Sequence, residues 1–480
     1  MDIPQGYKQT ELGIIPEDWE IVNLGSVAKI NGRIGFRGYT TADLVGVGQG
    51  AYTIGGKHIT NMVLDLHDAE YISWQKYYES PEIMVRKGDI VFAQRGTLGK
   101  SAFIVNDIGP ATINPSLVLI NKIKCDNEYL SYWLQCDKIV EYICSINSQT
   151  SIPMITQNQI EHIPVVLSRI KAEQQAIAEA LGDIDGLIAT LDKKIAKKRL
   201  IKQGAMSQLL TGKKRLPGFS DPWVEKKLGE IGYTYSGLTG KSKDDFGQGN
   251  AKYITFLNVL ANPILKENLF GSITIRENEQ QNKVQFGDLF FNTSSETPED
   301  VGTCAVLLSY HEELYLNSFC FGYRLTDDNV LGLYLAYYFR SRLGRQLMTS
   351  LAQGATRYNL SKELFNASRI ILPETKDEQI AIATMLNDMD KEIDDLEAQR
   401  DKYRLLKSGM MQKLLTGQIR LTKPLTNVVP LVPGDSAVRE IPVDAHIWAG
   451  HIVNRLWQSK GWGRTKLQKS LHLVGCYAQL

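Results

Sequence analysis

The stretch Gln94-Arg95-Gly96-Thr97, followed by Gly99-Lys100-Ser101, gathers an amide, a guanidinium, a hydroxyl and an ammonium on one turn. Glutamine pairs bidentately with adenine and arginine with guanine, while lysine holds phosphate, so these residue types suit the reading of a DNA duplex. Gln94, Arg95, Thr97 and Lys100 are therefore candidate DNA contacts, and Lys57 joins them. Asn292-Thr293-Ser294-Ser295-Glu296-Thr297 stands at the corresponding place later in the chain. It lacks an arginine and includes Glu296, an acceptor suited to cytosine N4. The two stretches are thus expected to read different bases, with Asn292, Thr293 and Ser294 as the second set of contacts.

Further candidates come from a weaker echo, Ile113-Asn114-Pro115-Ser116 against Leu316-Asn317-Ser318, which offers Asn114, Ser116, Asn317 and Ser318. The polar loops Asn147-Ser148-Gln149-Thr150 and Gln353-Gly354-Ala355-Thr356-Arg357-Tyr358-Asn359, each before a short apolar segment, add Ser148, Thr150, Arg357 and Tyr358. For any one of these residues, ordinary turn chemistry is the competing explanation.

Catalytic motifs fail on inspection. Gly96-Thr97-Leu98-Gly99-Lys100-Ser101 resembles a phosphate-binding loop, but the first glycine of that motif would fall at Gln94. His311-Glu312-Glu313-Leu314-Tyr315 begins like a zinc-protease helix and then places tyrosine where the second histidine belongs. Glu374-Thr375-Lys376 has the end of a nuclease signature, yet it opens a helix, where an acid is at home. Asn114-Pro115-Ser116 is too short for an amino-methyltransferase quartet. The expectation is a reader without catalytic residues, metal or cofactor.

The elements that must position these loops are marked by a repeat. Glu173 to Gly212 reappears from Glu378 to Gly417 without a gap, with about half of the positions identical. In the first copy Ile177, Leu181, Ile184, Ile188, Leu191 and Ile195 step by fours and threes; Ile382, Leu386, Met389, Ile393 and Leu396 share that phase. These are heptad seams, predicting two long helices of roughly 60 Å that pair as an antiparallel coiled coil. The competing reading, in which each seam packs on its own domain, remains open. Between the helices, β-type runs such as Asp89-Ile90-Val91-Phe92 and Asp288-Leu289-Phe290-Phe291 predict two α/β (α+β) globular domains. Each is expected to close on a helix, at 127–144 and at 329–351.

Composition sets the outer bounds. At 480 residues the chain exceeds one core, and its net charge of +1 supplies no overall attraction to nucleic acid. Residues 1–165 and 216–370 are each slightly acidic, so any DNA-binding face must concentrate its cations; the first repeat segment, 171–215, is the exception, with 10 basic against 5 acidic residues. Six scattered cysteines, no apolar run long enough to span a membrane and no basic, apolar start predict a cytoplasmic protein.

Taken with Gly6-Tyr7…Ile15-Pro16-Glu17-Asp18-Trp19…Leu24-Gly25, the block Lys87-Gly88-Asp89-Ile90-Val91-Phe92…Lys100 and the Leu-Leu-Thr-Gly helix ends, the chain resembles the specificity subunits of Type I restriction–modification systems. The likeness covers roughly residues 1–420. It implies two target recognition domains, 1–165 and 216–372, each reading half of a bipartite site in double-stranded DNA. DNA contact by Ser148, Thr150, Arg357 and Tyr358 is implied by the same resemblance. It also implies two spacer helices, within 166–215 and 373–420, which dock two methyltransferase subunits and, through the complex, restriction–motor subunits. The tail, 421–480, is expected to be a linker and a truncated helical segment outside the resemblance. The alternative reading is a coiled-coil adaptor whose two domains bind proteins.

Overall fold

A computed structural model describes residues 3–60, 62–146, 153–354 and 356–421. Two helices dominate it, Lys171–Leu209 and Lys376–Leu414, each 39 residues long, or about 58 Å at 1.5 Å per residue. Each ends in a left-handed glycine, Gly212 at φ 68° and Gly417 at φ 70°, the conformation that closes a helix and that β-carbons resist. At Gly417 a β-carbon would also stand 2.5 Å from Pro16.

The chain forms two compact units, and the division cuts both long helices. One unit holds residues up to Asp183 and from Lys407; the other runs from Ile184 to Leu406. The domain boundaries read from the sequence give each helix to one segment, whereas each compact unit contains part of both.

In the first unit the core sheet is antiparallel, ordered Ser101–Phe103, Ile90–Ala93, Leu117–Asn121, Lys29–Gly32. A second sheet pairs Ala111–Ile113 in parallel with Gly50–Ile54. Alternate residues of the two sheets, including Ile54, Val91, Ala102, Ile113 and Leu119, interlock as one apolar cluster. The domain is closed by its last strand, Pro164–Ser168, antiparallel to Trp19–Asn23.

The second unit repeats this plan. Gly232–Ser236, Cys320–Leu325, Leu289–Asn292 and Cys304–Val306 make the antiparallel sheet, and Phe246–Ile254 pairs in parallel with Leu314–Leu316. Arg369–Pro373 closes on Trp223–Lys227. The helices expected at 127–144 and 329–351 are each broken in two. The segments are Asn127–Trp133 with Asp137–Ser145, and Gly332–Arg340 with Arg342–Leu351. At the second break the Ser341 hydroxyl accepts from the Gly344 N–H at 3.2 Å, and side-chain capping of that kind starts a new helix.

The heptad seam has two roles. In the second unit Ile195, Ile393 and Leu396 are buried together, with Leu191 against them, and form the contact between the helices. Asp192 to Arg404, Lys198 to Glu392 and Lys202 to Asp390 flank it, with one number rising as the other falls, so the pair is antiparallel. Nearer its start the second helix turns its seam elsewhere. Ile382 and Leu386 sink into the core of their own domain beside Tyr334 and Phe339, with Leu209 and Leu210 from the end of the first helix and Met389 at the margin. Ile177, Leu181 and Ile184 are likewise buried, while Ile188 is half-buried. Helix pairing and domain packing therefore share one stripe.

Candidate nucleic-acid interface

The scaffold beneath the candidate loops is fixed at the helix starts. Glu173 and Gln174 are both buried. Gln174 accepts the Asp126 N–H at 2.8 Å and donates to the Ser168 carbonyl at 2.8 Å, tying the domain's terminal helix and last strand to the long helix. Gln379 repeats this with the Leu331 N–H at 2.9 Å and the Pro373 carbonyl at 3.0 Å.

The adjacent glutamates are gripped from the far end of the other helix. Arg420 donates to Glu173 at 2.7 Å and bidentately to Asp18, with its guanidinium 5.6 Å from the Trp19 ring. Arg215 donates bidentately to Glu378 at 2.5 and 2.7 Å and lies 5.8 Å from the Trp223 ring. Burial pushes Glu173 upward in pKa, but bonds from Arg420, Ser168 and Trp19 outweigh it and leave the carboxyl below its ordinary value. Asp18 is also held low, chiefly by Arg420. The repeat displays both glutamates but stops three residues short of each arginine, and it does not show that each arginine grips the glutamate of the other copy.

Elsewhere in the first domain four segments distant in sequence meet. The Asn114 N–H donates to the Ile54 carbonyl at 2.8 Å, placing the Asn114 turn beside Gly55-Gly56-Lys57. The Gln94 N–H donates to the Ser116 carbonyl at 3.0 Å, and its side-chain amide donates to the Pro115 carbonyl at 3.0 Å. The Ile155 N–H returns to the Gln94 carbonyl at 3.0 Å, and the Gly96 N–H to the Pro153 carbonyl at 2.9 Å. Lys57, Gln94, Arg95, Thr97, Asn114 and Ser116 thus belong to one tip.

Their freedom differs. Arg95 and Thr97 are exposed, and Lys100 is partly so. Among the described residues the Arg95 guanidinium donates to a weak acceptor, the Met154 sulfur at 3.3 Å. Lys57 lies 3.7 Å from Asp68 in an exposed pair. Asn114 accepts from both the N–H and the hydroxyl of Ser116, at 2.9 and 2.6 Å, which is an Asx turn. Those two residues shape the tip before they contact anything outside it. Ser148 and Thr150 lie outside the described residues.

The second tip is assembled by the same backbone bonds. Asn317 N–H donates to Ile254 O at 3.2 Å, Thr293 N–H to Phe319 O at 2.9 Å, and Leu360 N–H to Thr293 O at 2.9 Å. Ser294–Ser295 then pairs antiparallel with Tyr358–Leu360, joining the two loops chosen separately from the sequence. Thr293, Ser294 and Tyr358 are half-buried there, and Ser318 and Arg357 are exposed.

Two expected contacts are corrected. Asn292 is fully buried; its amide donates to the Ser294 and Asp300 carbonyls and accepts the Thr303 N–H at 2.6 Å. Asn317 is buried, donating to the Ile254 carbonyl at 3.0 Å and accepting the Phe319 N–H at 2.9 Å. Both amides are spent inside the fold, where unmade bonds would be costly.

The sequence reading missed Arg345. From the helix Arg342–Leu351 it donates to the carbonyls of Glu299, Val301 and Gly302, so one guanidinium fixes the loop that follows Thr297. It also missed two exposed apolar residues at the second tip, Leu257 and Phe319. Nothing in the local pattern distinguished them from core residues.

Comparison with known proteins places this geometry. The family model described as the Type I restriction modification DNA specificity domain matches twice, at residues 16–198 and 220–403. The MjaX type I restriction enzyme specificity subunit of Methanocaldococcus jannaschii is 25% identical over 453 residues, covering 87% of this chain and 97% of that protein. The MjaVIII specificity subunit of the same organism is 24% identical over 432 residues, with 87% and 96% covered. Among solved structures, the S subunit of the M. genitalium Type I system superposes with a TM-score of 0.52 at 14% identity, covering 86% of this chain and 98% of that one. A chain from a Type I assembly gives 0.53 at 16% identity, covering 84% and 99%. At these identities the structures support the fold.

Proposed function

This chain belongs to the Type I restriction modification DNA specificity family, and on that premise we propose that it reads a bipartite DNA site with one half at each tip. The observation that carries this is the tips themselves. Equivalent backbone bonds build both, at Asn114 to Ile54 and Asn317 to Ile254, while the exposed side chains they carry differ. A shared frame with unlike side chains fits two readers of unlike sequences.

At the first tip Arg95 suits guanine in the major groove and Lys100 and Lys57 suit phosphate; Arg357 supplies the cation at the second. The chain acts as a DNA-recognition component without catalytic groups of its own. Methyltransferase subunits, two by the pseudo-symmetry, dock on the helices and bring restriction subunits with them. Support for that docking comes from Leu200 and Leu405, which occupy the same position in the two copies and are 68% and 76% exposed.

Replacing residues 20–165 by the matching segment of a relative tests the reading. With the methyltransferase subunit present, modification mapping should show one half of the site changed and the other retained. A change in both halves, or in neither, would refute the assignment of one half-site to each tip.

A further inference from the structure

The two tips differ most where an apolar residue has replaced a polar one. Lys57 follows Ile54 in the first domain, and Leu257 follows Ile254 in the second, each isoleucine carbonyl receiving the Asx-turn asparagine N–H. Two residues beyond that asparagine stand Ser116 and Phe319. Leu257 is 72% exposed and Phe319 is 61% exposed.

Both are held on firm backbone. The Phe319 N–H donates to Asn317 Oδ1 at 2.9 Å, and its carbonyl accepts from Thr293 at 2.9 Å. Leu257 sits in the first turn of the helix Phe256–Ala261, where the Thr255 hydroxyl accepts the Asn258 N–H at 3.3 Å. The Asn317 amide donates to the Ile254 carbonyl and joins the two segments. Two large apolar side chains presented by rigid turns, beside the polar Thr293–Ser295 loop, need an apolar feature on an otherwise polar ligand. In the major groove that feature is the C5 methyl group of thymine.

We propose that Leu257 and Phe319 recognise thymine in the second half-site through its C5 methyl group; the proposal rests on the reading of the tips as DNA readers. Deoxyuridine lacks only that methyl, so it isolates the contact. The full chain with its methyltransferase subunit is offered random duplexes, and the preferred sequence is then remade with deoxyuridine at each thymine in turn. At one or more second-half thymines, affinity should fall about three- to ten-fold, the worth of about one buried methyl. In the double variant Leu257→Ser, Phe319→Ser the thymine and deoxyuridine duplexes should bind alike, with first-half preference unchanged as the control for folding.

A second half-site without thymine overturns the proposal. So does indifference of the unaltered protein to every deoxyuridine, or a thymine preference that survives in the double variant. In those three outcomes sequence-selective binding persists and base reading by the tips stands. Selection that returns no preferred sequence removes that reading and the proposal with it.

Discussion

Arg215 on Glu378 and Arg420 on Glu173 are one interaction made twice, with the same residue types and the same tryptophan behind each arginine. The tips are also one structure made twice, yet Lys57 corresponds to Leu257 and Ser116 to Phe319 in the two copies. The clasps repeat their chemistry because buried charges tolerate few substitutes: removing one partner strands the other. The tips repeat only their backbone bonds, and an exposed side chain is free to vary once main-chain groups are satisfied. The regions that hold and the regions that read are therefore separable by what must be buried.

Even the clasps are not identical, and that asymmetry gives the largest expected effect. Glu173 receives Trp19, Ser168 and Arg420, whereas Pro373 replaces the serine at Glu378 and the Trp223 indole nitrogen has no hydrogen-bond partner among the described residues. Arg420→Ala should destabilise the first unit by about 3–5 kcal/mol, since it leaves Glu173 buried without its cation. Arg215→Ala should cost the second unit more, because Glu378 is equally buried and, among the described residues, keeps no serine or indole bond once Arg215 is gone. Denaturant melts followed by hydrogen exchange in each unit would separate the two; equal losses would mean that the extra bonds at Glu173 contribute nothing.

The same clasp sets a pH dependence. Glu173 and Asp18 have depressed pKa values in the folded protein, so they bind protons less readily there than when unfolded. Their stabilisation is present above the ordinary glutamate value of 4.5 and is lost as pH falls through the lower folded values. The first unit of Arg420→Ala should show a flatter acid limb in pH melts than the unaltered protein. An unchanged limb would separate the depressed carboxyls from Arg420.

Within the second tip, Asn317→Ala should cost about 1–3 kcal/mol, because it strips buried backbone groups of their partners. Ser318→Ala, at an exposed neighbour, should leave stability unchanged and report only on binding. If both variants melt alike, the distinction between supporting and reading residues fails at this tip.

Smaller still is the effect of a single reader. Arg95→Ala should lose about 1–3 kcal/mol of discrimination at one position of the first half-site, with the second half untouched. Binding across single-base variants of the site would show it. A uniform loss with a shallower salt dependence would instead make Arg95 a phosphate contact.

Much of this organisation was legible in the residues. Heptad steps from Ile177 to Ile195 announce a helix because an amphipathic stripe has only one regular way to be buried. The left-handed glycines Gly212 and Gly417 mark its end. Less legible was the fate of individual polar residues. Asn292 and Arg95 both looked like base readers, but one amide is consumed by Ser294, Asp300 and Thr303 while one guanidinium stays exposed. Which of two polar side chains reaches solvent depends on carbonyls and amides supplied from elsewhere in the chain. The stripe itself also divides its roles, since Ile382 and Leu386 enter a domain core that Leu209 of the other helix joins, while Ile393 and Leu396 pack with Ile195.

By itself the sequence determined the two long helices, the doubling of the domains and the polar loops from which a reading surface could be made, because periodicity and turn chemistry act over a few residues. Only the tertiary structure decided that each arginine grips the glutamate of the other copy, and that loops some sixty residues apart close into a single tip. Those choices are made by long-range hydrogen bonds between groups with several possible partners, and only the folded chain brings one partner within reach.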